Sequence, residues 1–397
     1  MTSPVRSLTD RTHGTSIIPP GAEPVAPALS VSARTRRTPY TDRVEAAGVQ
    51  AYTVYNHMLL PTVFESLEAD AAHLKQHVQV WDVSCQRQVE VQGPDARRLV
   101  QLCTPRDLSR LVEGQCKYSP MVDDSGGMLN DPVVMQVSDD RFRLSIADHD
   151  MLLWLKGLAH GAGLRATVDE AEVWPVAVQG PKSGQLMARV FGEAVHGIRF
   201  FRFVRLPFGG HTFPVARSGF SKQGGFEIYL DRADLAEPLW DALMEAGADL
   251  EVRAGGPNLL ERIEGGLLSY GNDMTRANDP YECGLGALCR FDTEPRCIGA
   301  DALERAARET PRQQIRGLRI DGGPVPTCHE RWPIIAGDSP VGAVSSATWS
   351  PDCATNVAIG MVAREYWEAG TAVEVAAPDG IRPATVTTLP HCQGRSD

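Results

Sequence analysis

Four residues occur twice in this chain, Val91-Gln-Gly-Pro94 and Val178-Gln-Gly-Pro181. Each copy leaves an apolar run that reads as a strand, Val89-Glu-Val91 in one case and Val176-Ala-Val178 in the other. Each also enters a stretch with helical character, where proline suits the first turn and glycine frees the backbone to reverse. The shared context makes the echo a repeat, so the chain is expected to contain two related α/β modules. A length of 397 residues leaves room for two or three domains, each with its own core.

Between the two copies lies a second constraining stretch, Tyr118-Ser-Pro-Met-Val-Asp-Asp-Ser-Gly-Gly-Met-Leu-Asn-Asp131, followed by Pro132. Its adjacent glycines predict a tight reversal, and the β-branched and apolar flanks 118–122 and 133–137 predict strands. Asp131 is the odd residue, an acid held against a proline that cannot donate to a ladder. Such an interruption can re-aim a side chain out of the sheet and into a cavity. The plain alternative is a solvated acid on an edge strand, contributing little to stability.

Elsewhere, Leu67, Ala71, Leu74 and Val78 recur at helical spacing, and 80–83 reads as a strand. Further strands are expected at 141–146, 213–218 and 226–230, with helices near 152–158, 235–245 and 258–269. Residues 1–38 are rich in Pro, Ser, Thr and Arg, a composition that buries too little apolar surface to order itself, so a disordered arm is expected. A domain over 39–310 follows. From 311 to 397 short strands alternate with turns at regular spacing, which predicts a small antiparallel barrel or sandwich.

A net charge of −11 and a pI near 5.4 argue against nucleic acid as a partner. No apolar run approaches the ~20 residues of a membrane span, so a cytoplasmic chain with no membrane partner is expected. Nine cysteines form no C-x-x-C pair and read as mostly buried free thiols in a reducing compartment. His73 and His77 lie one helical turn apart, but Leu74 stands where a zincin has glutamate, and no metal site is expected. Neither a dinucleotide fingerprint nor a P-loop occurs.

Six motifs in order resemble the folate-dependent methyl- and aminomethyltransferase family of the glycine cleavage T-protein. They are Trp81-Asp-Val-Ser84, the Tyr-Ser and Gly-Gly-x-x-x-Asp hairpin, Val-Gln-Gly-Pro, Gly219 to Glu227, Tyr270-Gly-Asn-Asp-Met274 and Ser346-Ala-Thr-Trp-Ser-Pro351. Within the family, the stretches 55–61, 78–84, 218–225 and 263–274 are most similar to a branch that demethylates dimethylsulfoniopropionate. The resemblance implies an α+β fold, a folate-binding cloverleaf of α/β subdomains with a C-terminal antiparallel β-barrel. It implies tetrahydrofolate as cofactor, contacted by Tyr118, Asp131 and Glu227, and a small-molecule methyl donor as the other partner.

The implied chemistry suits these residue types. One carboxylate can accept both adjacent donors of a pterin edge, a task for Glu227. Asp131, the expected catalytic residue, would orient the reactive nitrogen and take up its proton. A sulfonium is already a good leaving group, so what the protein must supply is placement and a dry cation site. Phe220 and Trp349 are the expected aromatic walls of that substrate site. Departures from the T-protein, Cys85 after Asp-Val-Ser, Asn130 before Asp131 and Asn258 one turn before Arg262, count against aminomethyl transfer. Another methyl donor, a betaine, methylated amine or aryl methyl ether, stays open, as does a homodimer. A folate-binding accessory protein of iron–sulfur assembly is disfavoured, because its cysteine motif is absent at Gly219.

Overall fold

The two Val-Gln-Gly-Pro copies occupy equivalent turns in the computed structural model, which describes residues 32–391. In the first, strand Gln88–Gln92 runs into helix Ala96–Cys103; in the second, strand Trp174–Gln179 runs into helix Ser183–Phe191. Gly93 and Gly180 have φ of +136° and +118°. A Cβ at Gly93 would lie 2.5 Å from the Arg165 carbonyl oxygen, and one at Gly180 would lie 2.4 Å from that of His77. Both turns therefore accept only a hydrogen at that position.

Each copy belongs to its own sheet. The first sheet is antiparallel throughout, in the order Thr167–Ala171, Gln88–Gln92, Arg141–Ser145, Val133–Ser138, Cys116–Tyr118. Helices Ala96–Cys103 and Leu152–Gly161 cover it, packing Leu99, Val100 and Leu155 among Val89, Val91, Phe142 and Leu144. The second sheet runs Phe203–Phe208, His211–Ala216, Gly225–Leu230, Trp174–Gln179, Val78–Asp82, Val252–Gly255, with the last pair parallel. Leu186, Met187, Leu239 and Leu243 from helices Ser183–Phe191 and Ala236–Ala246 pack with Val78, Val80, Val176, Val178 and Ile228.

The C-terminal strands close into a six-stranded antiparallel barrel, in the order Gln313–Ile320, Thr355–Ala363, Ser339–Ser350, Trp332–Ala336, Ala372–Ala377, Gly380–Thr387. Closure removes every edge, and Leu318, Trp332, Ile334, Val344 and Val386 fill the interior. A buried ion pair ties this barrel to the rest. Arg262, on helix Leu259–Glu264, donates to Asp273 at 2.9 Å and to the Ser346 hydroxyl at 2.6 Å. Ser345 and Ser346 both donate to the other oxygen of Asp273 at 2.7 Å.

Several local expectations differ from what is observed. The helix expected over 258–269 spans only Leu259–Glu264, because Gly265 and Gly266 follow and Gly266 takes φ +64°. The strand expected over 118–122 is split: Cys116–Tyr118 pairs with Val133–Ser138, while Met121–Val122 pairs with Met128–Asn130. Pro120 and Pro132 account for the split, since neither carries the N–H that would continue a ladder. A hairpin of Ala51–Tyr55 and Met58–Val63 was not expected; its turn places Asn56 and His57 at φ +49° and +63°.

Residues 1–31 of the expected disordered arm lie outside the described residues, and residues 36–391 cluster as one unit. Within it, Arg36 pairs with Glu170 at 2.7 Å and the Thr38 hydroxyl donates to Asp82 at 2.5 Å. Among the described residues seven cysteines are free, six of them buried, while Cys353 is disulfide-bonded. No described helix is long and apolar enough to cross a membrane.

Candidate active site

A cavity of about 2020 Å³ opens among the two sheets, the hairpin 51–63 and the barrel. Tyr118, Asp131, Glu227, Phe220 and Trp349 all line it, so the five residues singled out from sequence converge on one space. They come from three stretches of the chain: the ends of the split hairpin, the turn after Ala216 with the strand Gly225–Leu230 that follows it, and barrel strand Ser339–Ser350.

Asp131 sits in the two-residue gap where the split hairpin changes sheets, between Asn130 and Pro132. It is not the solvated edge acid that its proline neighbour allows. The exposure that it keeps faces the cavity, and burial pushes its carboxyl up from 3.8 to about 7. Tyr118 opposes that rise, donating its hydroxyl to Oδ2 at 2.8 Å. Oδ1 is shut off from solvent and has no hydrogen-bond partner among the described residues.

Asn130 aims this acid. Fully buried, it accepts from the Asp131 N–H at 3.0 Å and the Ala147 N–H at 2.9 Å through Oδ1. Its Nδ2 donates to the His149 carbonyl at 2.9 Å. The Asn56 turn grips the same segment from the other side, donating to the carbonyls of Cys85 and Ala147 at 3.0 Å, while its N–H donates to Asp148 at 2.7 Å. The sequence marks Asn130 only as an amide where the T-protein has an acid and does not single out Asn56, since nothing in a pattern says which amide will be buried and saturated.

Glu227 is buried on a strand whose six residues are all buried, and it lines the cavity. Ser218 donates to its Oε2, and the Tyr229 hydroxyl donates to the same oxygen at 3.2 Å. Burial raises its carboxyl above the usual range, against the pull of these two donors. Oε1 has no hydrogen-bond partner among the described residues. The turn that carries Phe220 is pinned by Gln179, which donates to the Ser218 carbonyl at 3.1 Å and accepts from Ser221 at 2.8 Å. A Cβ at Gly219 would overlap the Gln179 amide at 2.1 Å, so glycine is required for that clasp. Phe220 belongs to no hydrophobic core cluster; it and Trp349 are half-buried, facing the cavity.

Other lining residues complete the wall around Asp131. Tyr55 is half-buried, and its hydroxyl is held well above its ordinary range, first by desolvation and then by the charge of Asp131. Tyr270 is pushed up to about 12, mainly by burial, and donates to the Met128 carbonyl at 2.8 Å. Cys85 and Cys283 line the cavity as buried thiols raised well above their usual range by burial. His73 and His77 stand apart from this site with ring centroids 4.9 Å apart. His73 Nε2 meets the Glu251 carbonyl at 2.8 Å, and desolvation lowers its pKa to about 4. Among the described residues no cluster of metal-ligating side chains occurs.

Comparison with known proteins agrees with this architecture. Residues 40–293 match the GCVT N-terminal domain model, and residues 313–392 match the glycine cleavage T-protein C-terminal barrel domain. The chain is 58% identical to dimethylsulfoniopropionate demethylase DmdA of Ruegeria pomeroyi over 355 residues, 89% of this chain and 97% of that protein. It is 30% identical to an aminomethyltransferase of Chlorobaculum parvum, covering 87% of this chain and 95% of that one. The crystal structure of the glycine cleavage system aminomethyltransferase T from Bartonella henselae superposes with a TM-score of 0.82 at 22% identity, covering 91% and 99% of the two chains. With both domain models matched in order around one shared cavity, the chain belongs to the glycine cleavage T-protein family.

Proposed function

We propose that this protein is a tetrahydrofolate-dependent methyltransferase that demethylates dimethylsulfoniopropionate, yielding methylmercaptopropionate and 5-methyltetrahydrofolate. The observation that carries this reading is the 58% identity to dimethylsulfoniopropionate demethylase DmdA over nearly the whole of both chains. The residues present suit a folate. Two carboxylate oxygens, Asp131 Oδ1 and Glu227 Oε1, belong to cavity-lining residues and have no partner among the described residues, and a pterin offers N–H donors to such acceptors. The volume of about 2020 Å³ exceeds the ~300–1,000 Å³ of a usual ligand pocket, which leaves room for two co-substrates.

When bound, tetrahydrofolate supplies the secondary amine N5 that receives the methyl group. Asp131 takes the proton that N5 must lose, and its pKa of about 7 matches a base working near neutrality. Tyr118 holds the carboxylate by Oδ2, which leaves Oδ1 as the oxygen without a protein partner among the described residues. Glu227 holds the pterin edge, with Ser218 and Tyr229 keeping its other oxygen in place. Phe220 and Trp349 shelter the sulfonium, each aromatic face contributing ~0.5–2 kcal/mol.

Purified protein with tetrahydrofolate and dimethylsulfoniopropionate should form 5-methyltetrahydrofolate and methylmercaptopropionate in equal amounts. Glycine betaine, a methylated amine and an aryl methyl ether run in parallel should each give far less. Turnover on one of those donors and none on dimethylsulfoniopropionate would reassign the substrate.

A further inference from the structure

We propose that Lys222 is the carboxylate-binding residue of the cavity, gripping the acid tail of a co-substrate whose reacting end lies toward Asp131. Four cationic side chains line this space: Arg217, Lys222, Arg262 and Arg316. Arg262 is engaged with Asp273 and Ser346. Arg316 donates to the carbonyls of Trp367 and Ile315 at 2.8 and 2.9 Å and lies over the Trp367 ring. Arg217 lies over the Phe226 ring, 5.8 Å from its centroid. Lys222 differs: its backbone N–H donates to Glu261 at 2.9 Å, but its ammonium meets no carboxylate or carbonyl among the described residues.

The surroundings hold the stem of this lysine while leaving its charge uncommitted. Gln179 clasps the turn on one side, through Ser218 and Ser221. Glu261 clasps it on the other, accepting from Lys222 and from the Gln223 side chain at 3.1 Å. The aliphatic stem lies along Gly265, where a Cβ would come within 2.6 Å of Lys222 Cγ and 3.1 Å of Cε. Glycine there lets the stem lie flat against the end of the short helix. Lys222 is half-buried at the cavity wall, and an ammonium with no protein acceptor among the described residues is free to donate a charge-assisted bond to a carboxylate supplied by a ligand.

This inference rests on the proposed function, under which both co-substrates carry such a group: the propionate of the sulfonium donor and the glutamate tail of the folate. Two matched pairs separate the sources. Dimethylpropylsulfonium keeps the sulfonium and lacks the acid; tetrahydropteroate keeps the pterin and lacks the glutamate. Lys222→Gln should raise KM for dimethylsulfoniopropionate, or Kd for tetrahydrofolate by calorimetry, by roughly 10-fold or more. The tailless member of the same pair should change much less, and Lys222→Arg should restore most of the loss. A loss confined to the sulfonium pair assigns the donor's acid, and one confined to the folate pair assigns the glutamate. Equal effects on tailed and tailless members, or no effect in either pair, would overturn the assignment. A wild-type enzyme inert toward dimethylsulfoniopropionate would refute the proposed reaction, while the folate-binding arm would still decide on Lys222.

Discussion

Replacing Asp131 by asparagine is expected to slow the enzyme and stabilise it at once. Burial raises this carboxyl from 3.8 to about 7, so the folded protein holds the proton more tightly than the unfolded chain does. The sign follows from linkage: the acid imposes no cost below pH 3.8, and its ionisation erodes stability progressively as pH climbs through about 7. At ~1.4 kcal/mol per pH unit, the full cost reaches roughly 4 kcal/mol. An amide of the same shape never ionises, and its carbonyl still accepts from Tyr118. For a chain of this size a gain of that order raises Tm by roughly 3–5 °C. Turnover should fall about 10²-fold, since the amide orients without taking up a proton. Calorimetric melts of both proteins at about pH 8 and about pH 4.5 test this, the stability gap at the lower value being expected to shrink to roughly a quarter of that at the higher. An Asp131→Asn protein that melts at or below the wild-type temperature at about pH 8 would refute the reasoning.

Removing the Tyr118 hydroxyl, in Tyr118→Phe, deletes the bond that holds the Asp131 pKa down, so the rising limb of kcat/KM against pH should move to higher pH. That limb, in the wild-type enzyme, should be centred near pH 7. Glu227→Gln should weaken tetrahydrofolate binding by roughly 1–3 kcal/mol in calorimetry, a charge-assisted pair becoming a neutral one. Asn130→Ala frees the backbone of Asp131 and of 147–149, and should cost roughly 2–4 kcal/mol of stability in denaturant melts along with a clear loss of kcat.

That last expectation goes beyond what Asn130 looks like in the sequence, where it is only an amide in place of an acid. The difference lies in what a one-dimensional pattern encodes. Strand alternation, the paired glycine–proline turns and the regular C-terminal strands are local signals, and they carried the two modules and the barrel. The motifs around Tyr118, Asp131, Glu227, Phe220 and Trp349 carried the lining residues. Bonds between distant segments leave no such trace. Asn56 reaches Cys85 and Ala147, and Arg262 reaches Ser346. Likewise, Trp332–Ala336 reads poorly as a strand because Pro333 sits within it, yet the barrel closes through it.

The two Val-Gln-Gly-Pro turns bear on how relatives of this chain should be sorted. At Gly93 and at Gly180 the thing that forbids a side chain is a carbonyl oxygen of the protein's own backbone, 2.5 and 2.4 Å from where a Cβ would stand. No ligand takes part in either prohibition. A descendant could therefore exchange its substrate entirely and still be obliged to keep both glycines. Their presence in a newly found chain is a marker of ancestry, silent about chemistry. Under the proposed function, the positions to compare when assigning an activity are Phe220, Lys222 and Trp349, which line the cavity.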